Sequence, residues 1–274
     1  MRNVIEGRIE NRNGWRWYRH IQDCGMNFVS MQKLSKLENK IQRLFHKACA
    51  NYELLSDGDK VLVALSGGKD SMELLRLLAL QQIILKPRIM VSAIHVIMDN
   101  VPYETDLDYI YDFCKKHNVN LYVKHTSFEE LEDSKKPKCF LCSWNRRKTI
   151  FNFAMQEGYN KVALGHHQDD LIITLLMNMF YAGSIQTMPP ALKMKHYPIT
   201  VIRPMCLVPE HMIEKVAEEL SFKKQKAKCP FENVTQRNTI TELFRKMEKM
   251  NSEIRYSLWS SMGNIYQSML PQKL

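Results

Sequence analysis

Three short runs carry most of the reactive chemistry in this 274-residue sequence. The first is Ser66-Gly67-Gly68-Lys69-Asp70-Ser71. Its two glycines clear side chains from consecutive backbone N–H groups, Ser66 and Ser71 add hydroxyls, and Lys69 adds positive charge, a set suited to phosphate oxygens. Only two glycines precede Lys69, so this is neither the longer loop ending in Gly-Lys-Ser/Thr nor the spaced-glycine dinucleotide fingerprint. The second run, Gly165-His166-His167-Gln168-Asp169-Asp170, sets two imidazoles beside two carboxylates. Such groups are costly to bury unpaired, so the run is expected in the cleft that faces the phosphate loop, with Asp169 or Asp170 placed to hold Mg2+ on nucleotide phosphates. The third run is Cys139-Phe140-Leu141-Cys142, immediately ahead of a helix expected from Ser143. Its spacing fits structural zinc, a redox dithiol or two iron–sulfur ligands. Cys229 is the one downstream cysteine in a similar basic setting, and three thiolates would leave one site of a cubane cluster open. Cys24, Cys49, Cys114 and Cys206 lie in helical or apolar surroundings and read as inert.

The elements around these runs alternate. Uncharged Val61-Leu62-Val63-Ala64-Leu65 reads as a strand buried on both faces, and further strands are expected at 90–97, 119–124, 161–164 and 199–203. Helical patterns fall at 32–50, 70–81, 104–117, 143–157 and 170–181. This order predicts an α/β fold with a doubly wound, mainly parallel sheet and helical additions at both ends. The expected divisions are an N-terminal arm and basic helix (1–50), a nucleotide-binding core (51–205) and a helical C-terminal region (206–274). In that last region Pro209 opens one helix, and Ile240, Leu243, Phe244 and Met247 stripe another. Asp99 and Asn100 fall just past the second strand, at the carboxyl edge where ligands of such sheets bind; ribose or adenine contact and a plain turn or capping role both fit.

Charge is uneven. The net charge is +10; residues 1–50 hold ten Lys/Arg against four acids and residues 193–274 hold fourteen against eight, while the middle is near neutral. Basic flanks around a neutral centre suit a polyanion laid across a catalytic core. Arg16-Trp17-Tyr18-Arg19 near the start interleaves cations with aromatics, as base-stacking surfaces do, and an arm packed on the body reads equally well. The apolar runs are short and broken by charge, so no membrane span or secretory signal is expected. Seven cysteines, unevenly spread, argue for a reducing compartment, the cytosol by default.

Ser-Gly-Gly-Lys-Asp-Ser after a buried strand resembles the pyrophosphate loop of the N-type ATP pyrophosphatases, and the Gly-His-His run resembles the second nucleotide motif of that superfamily. Cys-x-x-Cys-x-x-x-Arg-Arg, the Asp169–Asp170 motif, Asn178-Met179-Phe180-Tyr181-x-Gly183 and Met188-Pro189-Pro190 together are similar to the bacterial tRNA 2-thiocytidine synthetase family, over roughly residues 33–255. The resemblance implies adenine nucleotide alpha hydrolase-like architecture, with Ser66, Gly67, Gly68, Lys69, Asp70 and Ser71 on the pyrophosphate portion of ATP and Asp99, Gly165 and His166 lining the nucleotide site. It implies a [4Fe-4S] cluster on Cys139, Cys142 and Cys229. It also implies a tRNA substrate thiolated at cytidine 32, a cysteine desulfurase or another sulfide donor upstream, and a homodimer. One departure stands out. Familiar members place the later cysteine in a second Cys-x-x-Cys, whereas Cys229 here is followed by Pro230-Phe231-Glu232-Asn233.

The implied reaction has ATP adenylate the C2 oxygen of a pyrimidine, with Lys69, Asp70, Asp169 and Asp170 managing charge, before sulfur displaces AMP. Arg146 and Arg147, one turn past the cysteines, suit a phosphate or cluster-bound anion, or an RNA-facing surface. Lys33, Lys36, Lys40, Arg43, Lys223, Lys224, Lys226 and Lys228 are the expected RNA contacts. A related sulfur transferase for another nucleoside or small molecule, a cluster-independent tRNA-modifying ligase, and a noncatalytic zinc or RNA-binding protein are the competing readings.

Overall fold

The computed structural model describes residues 34–84, 86–101, 105–128, 138–223 and 236–271. Alternation in the strands builds the core. β1 (Lys60–Ala64) sends Val61 and Val63 to one face and Leu62 to the other, and β2 (Met90–Met98) does the same with Val91 and Ala93 against Ile94 and Val96. One face is covered by α1 (Lys36–Asn51), α2 (Lys69–Ile83), α3 (Leu107–Lys116) and α6 (Glu210–Glu219); α4 (Lys138–Gln156) covers the other. Residues buried on both faces are the mark of a parallel sheet clad by helices.

β3 (Asn120–Thr126), β4 (Lys161–Ala163), β5 (Ala191–Lys193) and β6 (Thr200–Ile202) complete a six-stranded sheet of order β3-β2-β1-β4-β6-β5. All neighbours are parallel except the β5–β6 pair at the edge. The chain winds outward from β1 through β2 and β3, then crosses to β4 on the other side. The switch point therefore lies between the ends of β1 and β4, the place where sheets of this kind hold their ligands.

α5 (Gln168–Met177) leaves β4, and its Ile172, Ile173 and Leu176 form a satellite core with Ile240 and Phe244 of α7 (Gln236–Met250) and with Leu258 and Trp259 of α8 (Ile254–Ser261). Helical periodicity predicted one helix over 170–181. The α-helix instead stops at Met177 and loosens into a π-helical turn, Asn178–Ala182, ended by Gly183 at φ 58°, a left-handed conformation that favours glycine. β5 and α8 were not foreseen; β5 is three exposed residues on a sheet edge and shows no alternation to read. Among the described residues no helix is long and apolar enough to cross a membrane.

α1 begins at Lys36 rather than 32, fixed by a capping box in which Glu38 N donates to Ser35 Oγ (3.1 Å) and Ser35 N donates to Glu38 Oε2 (2.7 Å). The other Glu38 oxygen accepts from Arg76 Nη1 (2.9 Å), whose guanidinium also grips Glu73 with two bonds of 2.8 Å. All three side chains are buried, so the triad rivets α1 to α2. Removing the cation alone would strand two carboxylates in the interior. Arg76→Met is expected to cost about 3–5 kcal/mol in urea unfolding, and a loss below about 1 kcal/mol would contradict this role.

Candidate functional site

Two strand exits meet at the switch point. Leu65 N still donates to Ile94 O (2.9 Å), so the chain leaves the sheet at Ser66. Gly67 takes φ 87°, and Gly68 is the cap residue of α2. Ser71 ties the turn together: its Oγ accepts from Ser66 N (3.2 Å), lies 3.0 Å from Ser66 Oγ and donates to Gly68 O (2.9 Å). The result is a small loop closed by hydroxyls over the first turn of a helix, where backbone N–H groups favour anions.

Gly165, at the exit of β4, passes directly against this loop. A Cβ there would lie 3.1 Å from Ser71 N and 3.2 Å from the Asp70 carbonyl carbon, so the absence of a side chain lets the two segments touch. The next residues then enter the crevice. His167 is buried, with Nε2 3.5 Å from Asp170 Oδ2 and 3.9 Å from both Asp70 Oδ1 and Glu210 Oε1; its Nδ1 is 3.9 Å from Asp169 Oδ2. Lys69 Nζ lies 3.0 Å from Glu210 Oε1 and 3.2 Å from Asp70 Oδ1. Burial lowers the Lys69 pKa, but Asp70 and Glu210 outweigh it and hold the ammonium above its ordinary value. Burial raises the Asp70 pKa, and Lys69 and His167 offset only part of the rise.

The paired acids are held from outside the motif. Arg255 of α8 clamps Asp169 through Nη1 to Oδ2 (2.8 Å) and Nη2 to Oδ1 (2.6 Å), while Glu210 N donates to Asp169 Oδ2 (2.8 Å). Asp170 accepts from His167 N (3.0 Å) and from Arg237 Nη2 of α7. His166 faces a different environment: Arg203 Nε donates to its Nδ1 (3.3 Å). Burial, with the Arg203, Arg147 and Arg237 charges added and only Asp170 opposing, lowers the His166 pKa to about 4.

The structure thus brings Ser66, Gly67, Gly68, Lys69, Asp70, Ser71, Gly165, His166, Asp169 and Asp170 to one crevice. Asp99 is farther out, past β2, with Oδ1 2.7 Å from His125 Nδ1, and Asn100 pins the next turn by donating to Phe128 O (2.7 Å). Cys139 and Cys142 do not precede the helix as expected: α4 begins at Lys138, so both sit in its opening turns, Cys139 exposed and Cys142 half-buried against Met98, Val101 and Phe128. Cys49, Cys114 and Cys206 match the inert reading, burial pushing each thiol up to about 12. Cys24 and Cys229 lie outside the described residues, as do Lys33, Lys224, Lys226 and Lys228. Lys36, Lys40 and Arg43 are exposed along α1, and Lys223 is paired with Asp106.

Sequence reasoning missed Glu210, Arg203, Arg237 and Arg255. Two carried a signal: Arg203 ends an apolar strand run just before Pro204, and Glu210 opens the helix that Pro209 announces. Nothing local marks Arg237 or Arg255.

The Arg255 clamp has a pH signature. Burial alone would raise the Asp169 pKa; the hydrogen bonds from Arg255 and Glu210 N overcome it and depress the folded value. The charge therefore contributes stability that is fully present above the ordinary aspartate pKa of about 4 and is lost as pH falls through the depressed value. Stability curves of wild type and Asp169→Asn should accordingly converge below about pH 4 and separate above it. A gap that stays constant across that range would contradict the clamp.

Comparison with known proteins places this geometry. Residues 33–259 match the family model described as the PP-loop domain. The tRNA-cytidine(32) 2-sulfurtransferase of Citrifermentans bemidjiense is 32% identical over 254 residues, 90% of this chain and 97% of that protein. The protein of the same name from Bdellovibrio bacteriovorus is 34% identical over 235 residues, 84% of this chain and 90% of its own. Among solved structures, the U34-tRNA thiolase NcsA from Methanococcus maripaludis with its [4Fe-4S] cluster superposes with a TM-score of 0.70 at 25% identity, covering 83% of this chain and 78% of that one. A phosphate-type loop at β1, the acid–histidine run at β4 and similarity to the two sulfurtransferases over 84–90% of the chain lead to one conclusion: the chain belongs to the PP-loop family, within its tRNA 2-sulfurtransferase group.

Proposed function

We propose that this enzyme uses ATP to replace the C2 oxygen of a cytidine, position 32 of tRNA, with sulfur. The observation that carries the reading is the contact of Gly165 with Asp70 and Ser71, which joins an anion-binding loop to a carboxylate- and imidazole-lined crevice at the switch point. The cytidine and its position rest on the relatives that carry that activity in their names.

The loop amides, Ser66, Ser71 and Lys69 bind the β and γ phosphates. Lys69 exchanges its Glu210 contact for phosphate oxygens, so positive charge is already aimed where pyrophosphate departs. The base oxygen attacks the α-phosphorus and pyrophosphate leaves into the loop. Sulfide then adds at C2, a C–S bond forms as the C–O bond breaks, AMP departs with the former base oxygen, and the thiol proton goes to solvent. The α4 face and the exposed Lys36, Lys40 and Arg43 meet RNA phosphates.

Mg2+ fits beside Asp70, whose Oδ1 is sealed from solvent, accepts no hydrogen bond among the described residues and faces the Lys69 ammonium at 3.2 Å, a contact released as Lys69 turns to phosphate. Asp170, bonded once at each oxygen by Arg237 and His167 N, is the second acid in reach; Asp169, clamped through both oxygens by the Arg255 guanidinium and bonded again by Glu210 N, positions α5 and α8 instead. Among the described residues no group of three His, Cys, Asp or Glu is arranged to hold a metal alone, which accords with Mg2+ held jointly by carboxylate and nucleotide phosphates. When bound, it neutralises charge on the departing pyrophosphate.

Cys139, Cys142 and Cys229 are the residues that would hold a [4Fe-4S] cluster. The first two are one helical turn apart on α4, and soft thiolates suit iron–sulfur ligation. Of the described residues on either side of Cys229, Lys223 N donates to Tyr109 Oη (3.0 Å) and its ammonium pairs with Asp106, while Arg237 holds Asp170. When bound, the cluster supplies an iron to carry sulfur toward the base. A cysteine desulfurase or another sulfide source upstream and a homodimeric state complete the proposal.

Alanine at Cys139, Cys142 or Cys229 should abolish tRNA thiolation by the anaerobically reconstituted protein and lower its iron content, with equilibrium ATP binding unchanged. Full activity of all three variants would transfer the assignment to a cluster-independent ligase. Asp70→Asn should instead raise the apparent KM for Mg-ATP about tenfold or more and leave the iron content intact; unchanged nucleotide kinetics would remove Asp70 from the site.

A further inference from the structure

Among the described residues Arg203 is a buried cation without an anion. It is 7% exposed, yet its guanidinium donates only to neutral acceptors, Pro189 O through Nη1 (2.6 Å) and His166 Nδ1 through Nε (3.3 Å). Among the described residues no carboxylate pairs with it. Buried guanidinium groups are normally matched by carboxylate or phosphate, because an unpaired charge is costly to desolvate. Arg76, also buried, follows the rule with Glu38 and Glu73. Arg203 departs from it, and its surroundings make the imbalance larger. Arg147 on α4 lies near enough that its charge, together with burial, lowers the Arg203 pKa, and Arg147 makes no ion pair among the described residues.

His166 completes the arrangement. Its Nδ1 accepts from Arg203, so the ring hydrogen resides on Nε2, which makes no hydrogen bond among the described residues. The imidazole is therefore held as a neutral N–H donor and its accepting nitrogen is already occupied, which removes it as a general base. The buried Arg203 follows β6 and His166 follows β4, its parallel neighbour, and the charge of the exposed Arg147 acts on both groups; β4 separates Arg203 from the β1 loop.

We infer that Arg203, Arg147 and the Nε2–H of His166 form a second phosphate-binding site, separate from the Ser66–Ser71 loop. Its ligand is a phosphoryl oxyanion from one of two sources, the α-phosphate that ends as AMP or a backbone phosphodiester of the RNA beside the reacting base. The site rests on the proposed reading of the crevice as one that handles nucleotide and RNA. Pyrophosphate binding at the β1 loop is therefore measured in parallel; its absence in wild type would count against that reading rather than against this site.

The test uses the full-length protein, wild type, Arg147→Ala and Arg203→Gln, with AMP, adenosine, pyrophosphate and unmodified tRNA as probes. Arg147 is exposed and carries no bond among the described residues, so its variant keeps the fold and decides the matter should Arg203→Gln unfold. For an α-phosphate site, both substitutions weaken AMP binding about tenfold or more with pyrophosphate present, while adenosine and pyrophosphate affinities stay unchanged. For a backbone site, AMP is unaffected, tRNA binding falls about tenfold, and the slope of log affinity against log salt shrinks by about one. Either pattern supports the second site. Unchanged AMP and tRNA affinities in Arg147→Ala, with its thermal stability intact, would overturn it.

Discussion

Everything in the crevice is referred to one close passage of backbone against backbone, where Gly165 lies on the first turn of α2. Parallel pairing of β1 with β4 brings the two strand exits side by side, and a glycine at the second exit lets them approach so closely that a Cβ there would lie 3.1 Å from Ser71 N. That distance sets how near His167, Asp169 and Asp170 come to Lys69 and Asp70. A larger residue would separate a phosphate loop from the acids that serve it, although each motif would persist on its own strand.

Around that contact, charge is sorted by side. Carboxylates from three elements, Asp70, Asp170 and Glu210, surround Lys69 and His167 next to the β1 loop. Arginines gather about His166 one strand farther along, where burial and positive charge keep the ring neutral. Two adjacent histidines thus meet opposite fields within one crevice. Negative charge beside the loop suits a metal–nucleotide complex, and uncompensated positive charge beyond it suits a phosphoryl group.

Much of this was legible before any coordinates, because its causes are local. The apolar run through Leu65, the two glycines and the helix start at Lys69 specify a strand, turn and helix together, and the acids of the β4 exit are costly anywhere but a cleft. The residues that lock the site were not legible for the opposite reason. Arg255 meets Asp169, and Lys69 meets Glu210, across long stretches of chain, so their pairing exists only once α6, α7 and α8 have packed. The start of α4 was misplaced because the helix runs through the cysteine pair, whose interest was chemical rather than periodic. The loosening of α5 after Met177 follows from the left-handed Gly183, a conformational signal that the apolar stripe obscured.

The central claim is that the oxygen of the base itself is activated by ATP in this crevice. It is tested most directly by following that atom: tRNA carrying oxygen-18 at C2 of the target cytidine is incubated anaerobically with the reconstituted protein, ATP, Mg2+ and sulfide, and the AMP is analysed by mass spectrometry. Adenylation of the base followed by sulfur attack at C2 predicts one labelled oxygen in AMP for each thiolated nucleoside formed. Thiolated nucleoside accompanied by unlabelled AMP would contradict the account.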